Sequence, residues 1–334
     1  MSVLETEPCS RDTLERVHTS EYLDVLTRAA HGDFDEKMLH HGLGLEECPL
    51  FTGLWDYCLE SGGIAKAAAE ALVQDRARLV FSPAGGMHHA LPNKAGGFCY
   101  VNDMAIACHI AAEAGLKVLY LDVDAHHGNG TQEIFYRDER VFTLSIHETG
   151  RTLYPWSGFA EEIGEGHGLG FNANIPMEPG TDDQTFLWAY REGARPLIKA
   201  FAPDIIVVEM GADGLSSDPL THLRYTNNAL ADIAAELPRL APRVLVGGGG
   251  GYDVRATVKA WSLVWSVLND IEPVHDAYAM LGGVFLGEEQ ILGGSLRDMN
   301  VYLSGADRNR VQEGAEKAVQ TIRDKVFPLH GLQP

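Results

Sequence analysis

The stretch "LYLDVDAHHGNG", residues 119–130, decides how the chain reads. It begins as an unbroken apolar run, the pattern of a strand covered on both faces, and then sets two aspartates and two histidines within six positions. Comparable runs recur at 78–82 (RLVFS), 117–123 (KVLYLDV), 141–147 (VFTLSIH), 171–175 (FNANI), 204–210 (DIIVVEM) and 243–248 (RVLVGG). Segments of helical periodicity at 101–114, 182–201 and 221–240 lie between most of them. Strands alternating with helices need crossover connections, so the expected fold is α/β: a three-layer α/β/α arrangement around a mostly parallel sheet. Residues 11–30 and 53–75 read as further helices packed beside it. No repeat or low-complexity linker interrupts the 334 residues, which predicts one domain over 1–334. The pattern does not place the last sixty residues, which hold "LGGVFLGEEQILGGS" (281–295) and a final amphipathic stretch.

Four of the apolar runs end in polar or glycine-rich clusters: "AGGMHH", "DVDAHHGNG", "GAD" and "GGGGGY". In an open parallel sheet the carboxyl ends of the strands face one crevice, so these clusters are expected to meet there. Asp124 and His126 are one residue apart and share a face of an extended segment. Asp213, from another strand end, adds a third donor. Two carboxylates and one imidazole suit a divalent ion such as Zn²⁺ or Fe²⁺ and leave a coordination position open. Taken singly, each is an ordinary turn or capping residue; the set at converging strand ends is what points to chemistry. His88 and His89 follow a glycine pair, with Asp122 and Asn129 available to hold one imidazole each in a chosen tautomer, as general acid–base work requires. The glycines at 247–251, Gly250 among them, lack the residues of a phosphate loop. They let backbone approach a substrate closely and present the Tyr252 hydroxyl as a donor to a carbonyl oxygen.

Composition narrows the partners. With 26 Lys and Arg against 47 Asp and Glu, the formal charge is −21, which repels nucleic acid and draws cationic ligands. The five cysteines are scattered, odd in number and without a CxxC pair, so they read as reduced thiols. The first residues lack the basic start and apolar core of a signal peptide, and no apolar run is long enough to span a bilayer. A soluble, cytoplasmic protein without membrane partners is expected. Nothing in the pattern sets an oligomeric state.

Taken together, "PAGGMHHALPNKAGGFCYVNDMAIA", "VLYLDVDAHHGNGTQEIFY", "VFTLSIHE", "GADGLSSDPL" and "GGGGGYD" resemble the histone deacetylase superfamily, in particular the bacterial acetoin-utilisation deacetylases, in family order over about residues 10–270. The resemblance implies an arginase/deacetylase-like fold and metal-assisted hydrolysis of N-ε-acetyl-lysine in proteins or peptides. Small acetylated amines such as polyamines are the second substrate class, and a non-catalytic acetyl-lysine binding module is the alternative outside enzymes. By motif, Asp124, His126 and Asp213 look like zinc ligands. His89 looks like the general base towards the attacking water, His88 like its electrostatic partner backed by Asp122, and Tyr252 like the carbonyl-polarising hydroxyl. Gly97 and Phe98 match one wall of the substrate channel and Tyr154 the other. Glu47 matches a rim acid that binds substrate backbone. Asp122 and Ser145, with backbone carbonyls, resemble a structural K⁺ site.

The chain also departs from the family pattern. Asn129 stands where many members have aspartate, as in the class II branch, and a neutral amide leaves its imidazole partner less basic. Leu220 replaces the glutamate gatekeeper of polyamine deacetylases, which favours acetyl-lysine. Gly128 ends the "DAHHG" run where binuclear arginase-like enzymes have aspartate, so one metal per site is expected. The family's opening strand, with its His-Pro and Arg-rich loop, is missing, which implies a sheet without its first strand.

Overall fold

Six segments rich in Val, Ile and Leu pair as strands: β1 (Leu79–Ser82), β2 (Val118–Asp122), β3 (Val141–Glu148), β4 (Asn172–Met177), β5 (Ile205–Glu209) and β6 (Val244–Gly247). The computed structural model describes residues 2–271 and 296–334, so the "LGGVFLGEEQILGGS" stretch lies outside the described residues. Every pairing in this sheet is parallel, and the strand order is β1-β6-β5-β2-β3-β4. From β2 the chain moves outward through β3 to β4. It then returns to β5 on the other side of β2 and continues to β6. The order therefore reverses between β2 and β5, and a crevice opens beyond the carboxyl ends of strands at such a reversal.

Alternating side chains leave the strands in opposite directions. Leu119, Leu121, Leu144, Ile146 and Val208 pack on one face with the helices Asn227–Leu240, Val254–Leu268 and Gly305–Lys325. Val118, Tyr120, Val207 and Leu245 pack on the other with Leu54–Val73 and Asp103–Glu113. The three expected layers are thus present, and both sheet faces are dry, which explains the continuous apolar runs.

Three expected helices differ in detail, each for a local reason. The 11–30 segment forms two pieces, Arg11–Leu14 and Ser20–Ala30, because the Thr19 hydroxyl accepts the Tyr22 N–H and starts a new helix there. The 182–201 segment passes through a π-turn, Tyr190–Ala194. Pro196 has no N–H to offer the carbonyl four residues back, and the turn before it widens. The 221–240 segment becomes helical only at Asn227, capped by Thr226. The preceding residues are held as a loop by Glu148, whose carboxylate accepts the His222 N–H at 2.8 Å.

The helix Gly305–Lys325 is tied to this frame by one buried ion pair. Asp182 is fully buried, caps the Asp183–Ala189 helix through the Thr185 N–H, and receives Arg308 Nη1 at 3.0 and 3.2 Å. Removing the guanidinium leaves that carboxylate buried without its counter-charge. Arg308→Ala is expected to cost about 3 kcal/mol of stability, read as a lowered urea midpoint with an unchanged slope.

Candidate active site

The residues singled out at the strand ends converge. His126 Nδ1 lies 2.7 Å from Asp213 Oδ2 and 3.2 Å from Asp124 Oδ1. The three side chains are buried, and each offers a ligand atom within 4.8 Å of the other two. Asp124 and His126 follow β2 and Asp213 follows β5, so the cluster straddles the reversal of strand order. Each aspartate is also tied to a segment other than its own. Asp213 Oδ1 accepts the Ala125 N–H at 2.9 Å, and Asp124 Oδ2 accepts the Gly250 N–H at 2.6 Å. Gly250 has to be glycine, since a Cβ there would stand 2.2 Å from Asp213 Oδ2.

The electrostatics of this cluster call for a cation. Burial works against charge on His126, but Asp213 and Asp124 outweigh it and lift the imidazole to about 10. Burial, then Asp124, pushes Asp213 up to about 7. Burial also raises Asp124, yet His88 and His126 hold it well below the usual carboxylate range. A proton on His126 thus supplies the positive charge that a divalent ion would bring. Two carboxylates and one imidazole with atoms facing one point fit such an ion.

The histidine pair sits beside this cluster. His88 Nδ1 is 2.8 Å from Asp122 Oδ2, His89 Nδ1 is 2.7 Å from Asn129 Oδ1, and the two Nε2 atoms are 3.2 Å apart. The imidazoles are driven in opposite directions. Burial opposes charge on both, but Asp122, Glu209 and Asp124 reverse the outcome for His88 and raise it well above its ordinary value. His89, facing a neutral amide and two other imidazoles, is lowered well below it. One charged and one neutral imidazole in contact are the arrangement expected of an acid–base pair.

A cavity of about 300 Å³ leads to these groups. Its lining includes Gly97, Phe98 and Tyr252, the site residues His88, His89, Asp124 and His126, and also Tyr57, Met87 and Cys99. Phe98 and Tyr252 face each other edge-on with centroids 6.0 Å apart, and Tyr154 stands edge-on to His89 at 5.0 Å. Gly97 has φ +51, and a Cβ there would sit 2.2 Å from the His89 ring, so only glycine permits this approach. Burial, with Asp213 and Asp124 nearby, drives the Tyr252 phenol upward, so it keeps its proton and remains a donor. Glu47 Oε2 accepts the Gly97 N–H at 3.4 Å, and half-exposed Leu220 stands near Tyr252 because Asp218 receives both backbone N–H groups. Ser145 lies beside Asp122 across β3 and β2, but its hydroxyl is engaged with His147 Nδ1 at 2.7 Å.

Four residues were missed in the sequence reading. Asp103 gathers the N–H groups of Gly86, Met87 and Met104 and so pins the loop carrying His88 and His89. Asp218 accepts the Tyr252 N–H at 2.8 Å and sets the height of that residue. Tyr120 donates to Asp122 at 3.0 Å and to Glu209 at 3.3 Å. Glu209 is fully buried, its Oε1 has no hydrogen-bond partner, and that atom lies 3.7 Å from His88 Nδ1. Only the alternation in "DIIVVEM", which breaks its apolar run with an acid, carried a signal for Glu209. Gly128 also gains a reason: a Cβ there would meet Asp122 Oδ2 at 2.2 Å, so no aspartate fits at that position.

The sequence profile described as "Histone deacetylase domain" matches residues 1–268. The chain belongs to the histone deacetylase family. It is 39% identical over 279 residues to the acetoin utilization protein AcuC of Bacillus subtilis, covering 80% of this chain and 71% of that protein. AcuC of Staphylococcus aureus (strain MRSA252) is also 39% identical, over 278 residues, with 81% and 71% covered. Among solved structures, the chain superposes on an HDAC homologue complexed with SAHA at a TM-score of 0.81 and 30% identity, covering 94% of this chain and 87% of that one. An HDAC homologue from Aquifex aeolicus gives 0.79 with the same identity and coverage. The histone deacetylase fold and a deacetylating hydrolase chemistry are therefore those of this chain. Among the described residues, no helix is long and apolar enough to cross a membrane.

Glu209 gives a test of how this site strains the fold. Burial, with Asp122 and Asp124 beyond what His88 offsets, raises its carboxyl well above the ordinary 4.5. The folded chain therefore keeps a proton that the unfolded chain loses, and stability present below about pH 4.5 is lost as pH rises towards the folded value. Glu209→Gln removes that loss. Melts of the metal-free protein should show the variant gaining on the parent as pH goes from 5 to 8, by about 1 kcal/mol per unit; parallel pH curves would contradict it.

Proposed function

We propose that the chain is a zinc-dependent lysine deacetylase that removes the acetyl group from N-ε-acetyl-lysine in polypeptides. The observation that carries this reading is the meeting of His126 Nδ1 with Asp124 and Asp213 oxygens beside a cavity lined by Phe98 and Tyr252, with Tyr154 edge-on to His89. A divalent ion held by Asp124, His126 and Asp213 would supply Lewis acidity and lower the pKa of water. Fe²⁺ suits the same donors.

The chain's own groups then divide the work. Neutral His89, oriented through Nδ1 by Asn129, takes the proton of the attacking water at Nε2. Charged His88, held by Asp122, stabilises the negative charge that develops, and the pair returns a proton to the departing amine. Tyr252 donates its hydroxyl proton in a hydrogen bond to the carbonyl oxygen as that oxygen becomes negative. The aromatic walls take the methylene stem of acetyl-lysine, which is apolar along its length and polar at the tip. Leu220 at the mouth offers no carboxylate to the second cation of an acetylated polyamine, which supports the lysine substrate. The structural K⁺ reading rests on Asp122 and Ser145 standing side by side, and no step above depends on it.

The decisive assay compares metal-loaded protein on an acetyl-lysine peptide and on acetylated polyamines. Tyr252→Phe is expected to lower kcat by about 10²–10³ with KM little changed, the loss of about 2.7–4 kcal/mol seen when one oxyanion donor is removed; full activity in that variant would overturn the role of the phenol. Asn129→Asp places a carboxylate on His89 Nδ1 and raises the imidazole. Because His89 acts as the neutral base, the acidic limb of the kcat/KM profile should move up by about one pH unit. A limb that stays in place refutes His89 as the base.

A further inference from the structure

Two residues after Tyr154 the backbone does something costly. Trp156 has φ +64, in the left-handed region that favours glycine, and a bulky residue there is an outlier that the surroundings must enforce. The turn is pressed onto Gly150, where a Cβ would meet the Ser157 backbone at 2.5 and 2.6 Å and the Trp156 carbonyl carbon at 2.9 Å. Packing does not repay the strain. Trp156 is 62% exposed, joins neither apolar core, and its indole has no ring or hydrogen-bond partner among the described residues. A small flexible residue would make the same turn at lower cost, so the ring is retained for something outside the chain.

Its place says what. The Cα of Trp156 lies within about 6.7 Å of that of Tyr154, one cis and one trans virtual bond away, and Tyr154 stands edge-on to His89. The same mouth holds exposed Phe98 and the Glu47 carboxylate that receives the Gly97 N–H. Burial and then Glu47 raise the Tyr154 phenol, so that acid lies close to this wall. An exposed indole two residues from a channel wall that Glu47 acts on, on a chain of charge −21, is a surface suited to a cation.

We infer that Trp156 is a specificity-determining residue whose indole face receives a basic side chain flanking the acetyl-lysine of a polypeptide. The inference rests on the acetyl-lysine reading above and names the kind of sequence context that reading leaves open. A blocked acetyl-lysine ends inside the cavity and has nothing to place on the ring. A peptide with arginine beside the acetyl-lysine does.

The test is a binding measurement. Two fluorescent acetyl-lysine peptides, with Arg or with Ala on both sides of the modified residue, are titrated by anisotropy onto the full chain and onto the full chain carrying Tyr252→Phe, with blocked acetyl-lysine and an acetylated polyamine as competitors. The Arg peptide should bind about three- to fivefold tighter than the Ala peptide. In Trp156→Ala and Trp156→Gly the two should bind within a factor of about two, with competition by blocked acetyl-lysine unchanged. Trp156→Gly should melt at the parent temperature or above it, because glycine accepts the turn without strain, which separates recognition from misfolding. A preference for Arg that survives both substitutions, no preference in the parent, or a loss shared equally by blocked acetyl-lysine or confined to the polyamine would each overturn the inference. Failure to hydrolyse any acetylated peptide would count against the proposed function instead, since the binding ratio is read without turnover.

Discussion

Two carboxylates and an imidazole are forced together in a buried spot at the reversal between β2 and β5, and much of the surrounding structure answers to that constraint. At an effective dielectric of 20, two like charges less than 4.8 Å apart repel by roughly 3 kcal/mol or more. In the protein alone His126 meets the problem by holding a proton between Asp213 and Asp124. Backbone N–H groups of Ala125 and Gly250 add partial positive charge from two directions. The aspartates are satisfied only because the loops after β2, β5 and β6 all arrive, which is why the sheet order and the site cannot be considered apart.

A second layer of carboxyl groups surrounds the first and divides the histidines. Asp122 and Glu209 sit at paired positions on β2 and β5, so both point at His88 from the same face of the sheet. Asn129 is neutral and faces His89. One imidazole is therefore set among carboxyl groups and the other faces an amide, and their opposite titration follows from strand register together with the charge of His88 acting on His89. Gly128, packed on Asp122, closes the room in which a further carboxylate could stand.

Much of this was legible beforehand. Apolar runs such as "KVLYL" read correctly as doubly covered strands because both sheet faces are packed. Asp124, His126, Asp213, His88, His89 and Tyr252 stood out because strand ends must converge. Helix boundaries were less legible: the break before Ser20 depends on a threonine cap, and the π-turn on a proline whose effect falls one turn earlier. The supports of the site were hidden for another reason. Asp103 and Asp218 work by gathering backbone N–H groups from loops distant in sequence, and nothing local distinguishes them from a surface acid. Glu209 stood in plain view inside a strand, but its neighbours are supplied by register. Trp156 looks like any exposed tryptophan until its backbone angle is known.

The double engagement of the two aspartates has a practical side. Asp213 clasps the loop after β2 through Ala125, and Asp124 clasps the loop after β6 through Gly250, while both face the point where a metal ion could be held. Trimming either to alanine would unfasten two chain segments at once, so an inert mutant made that way confounds lost chemistry with a slackened scaffold. Clean inactive forms of this protein are better sought in groups that touch the cavity and brace nothing behind it.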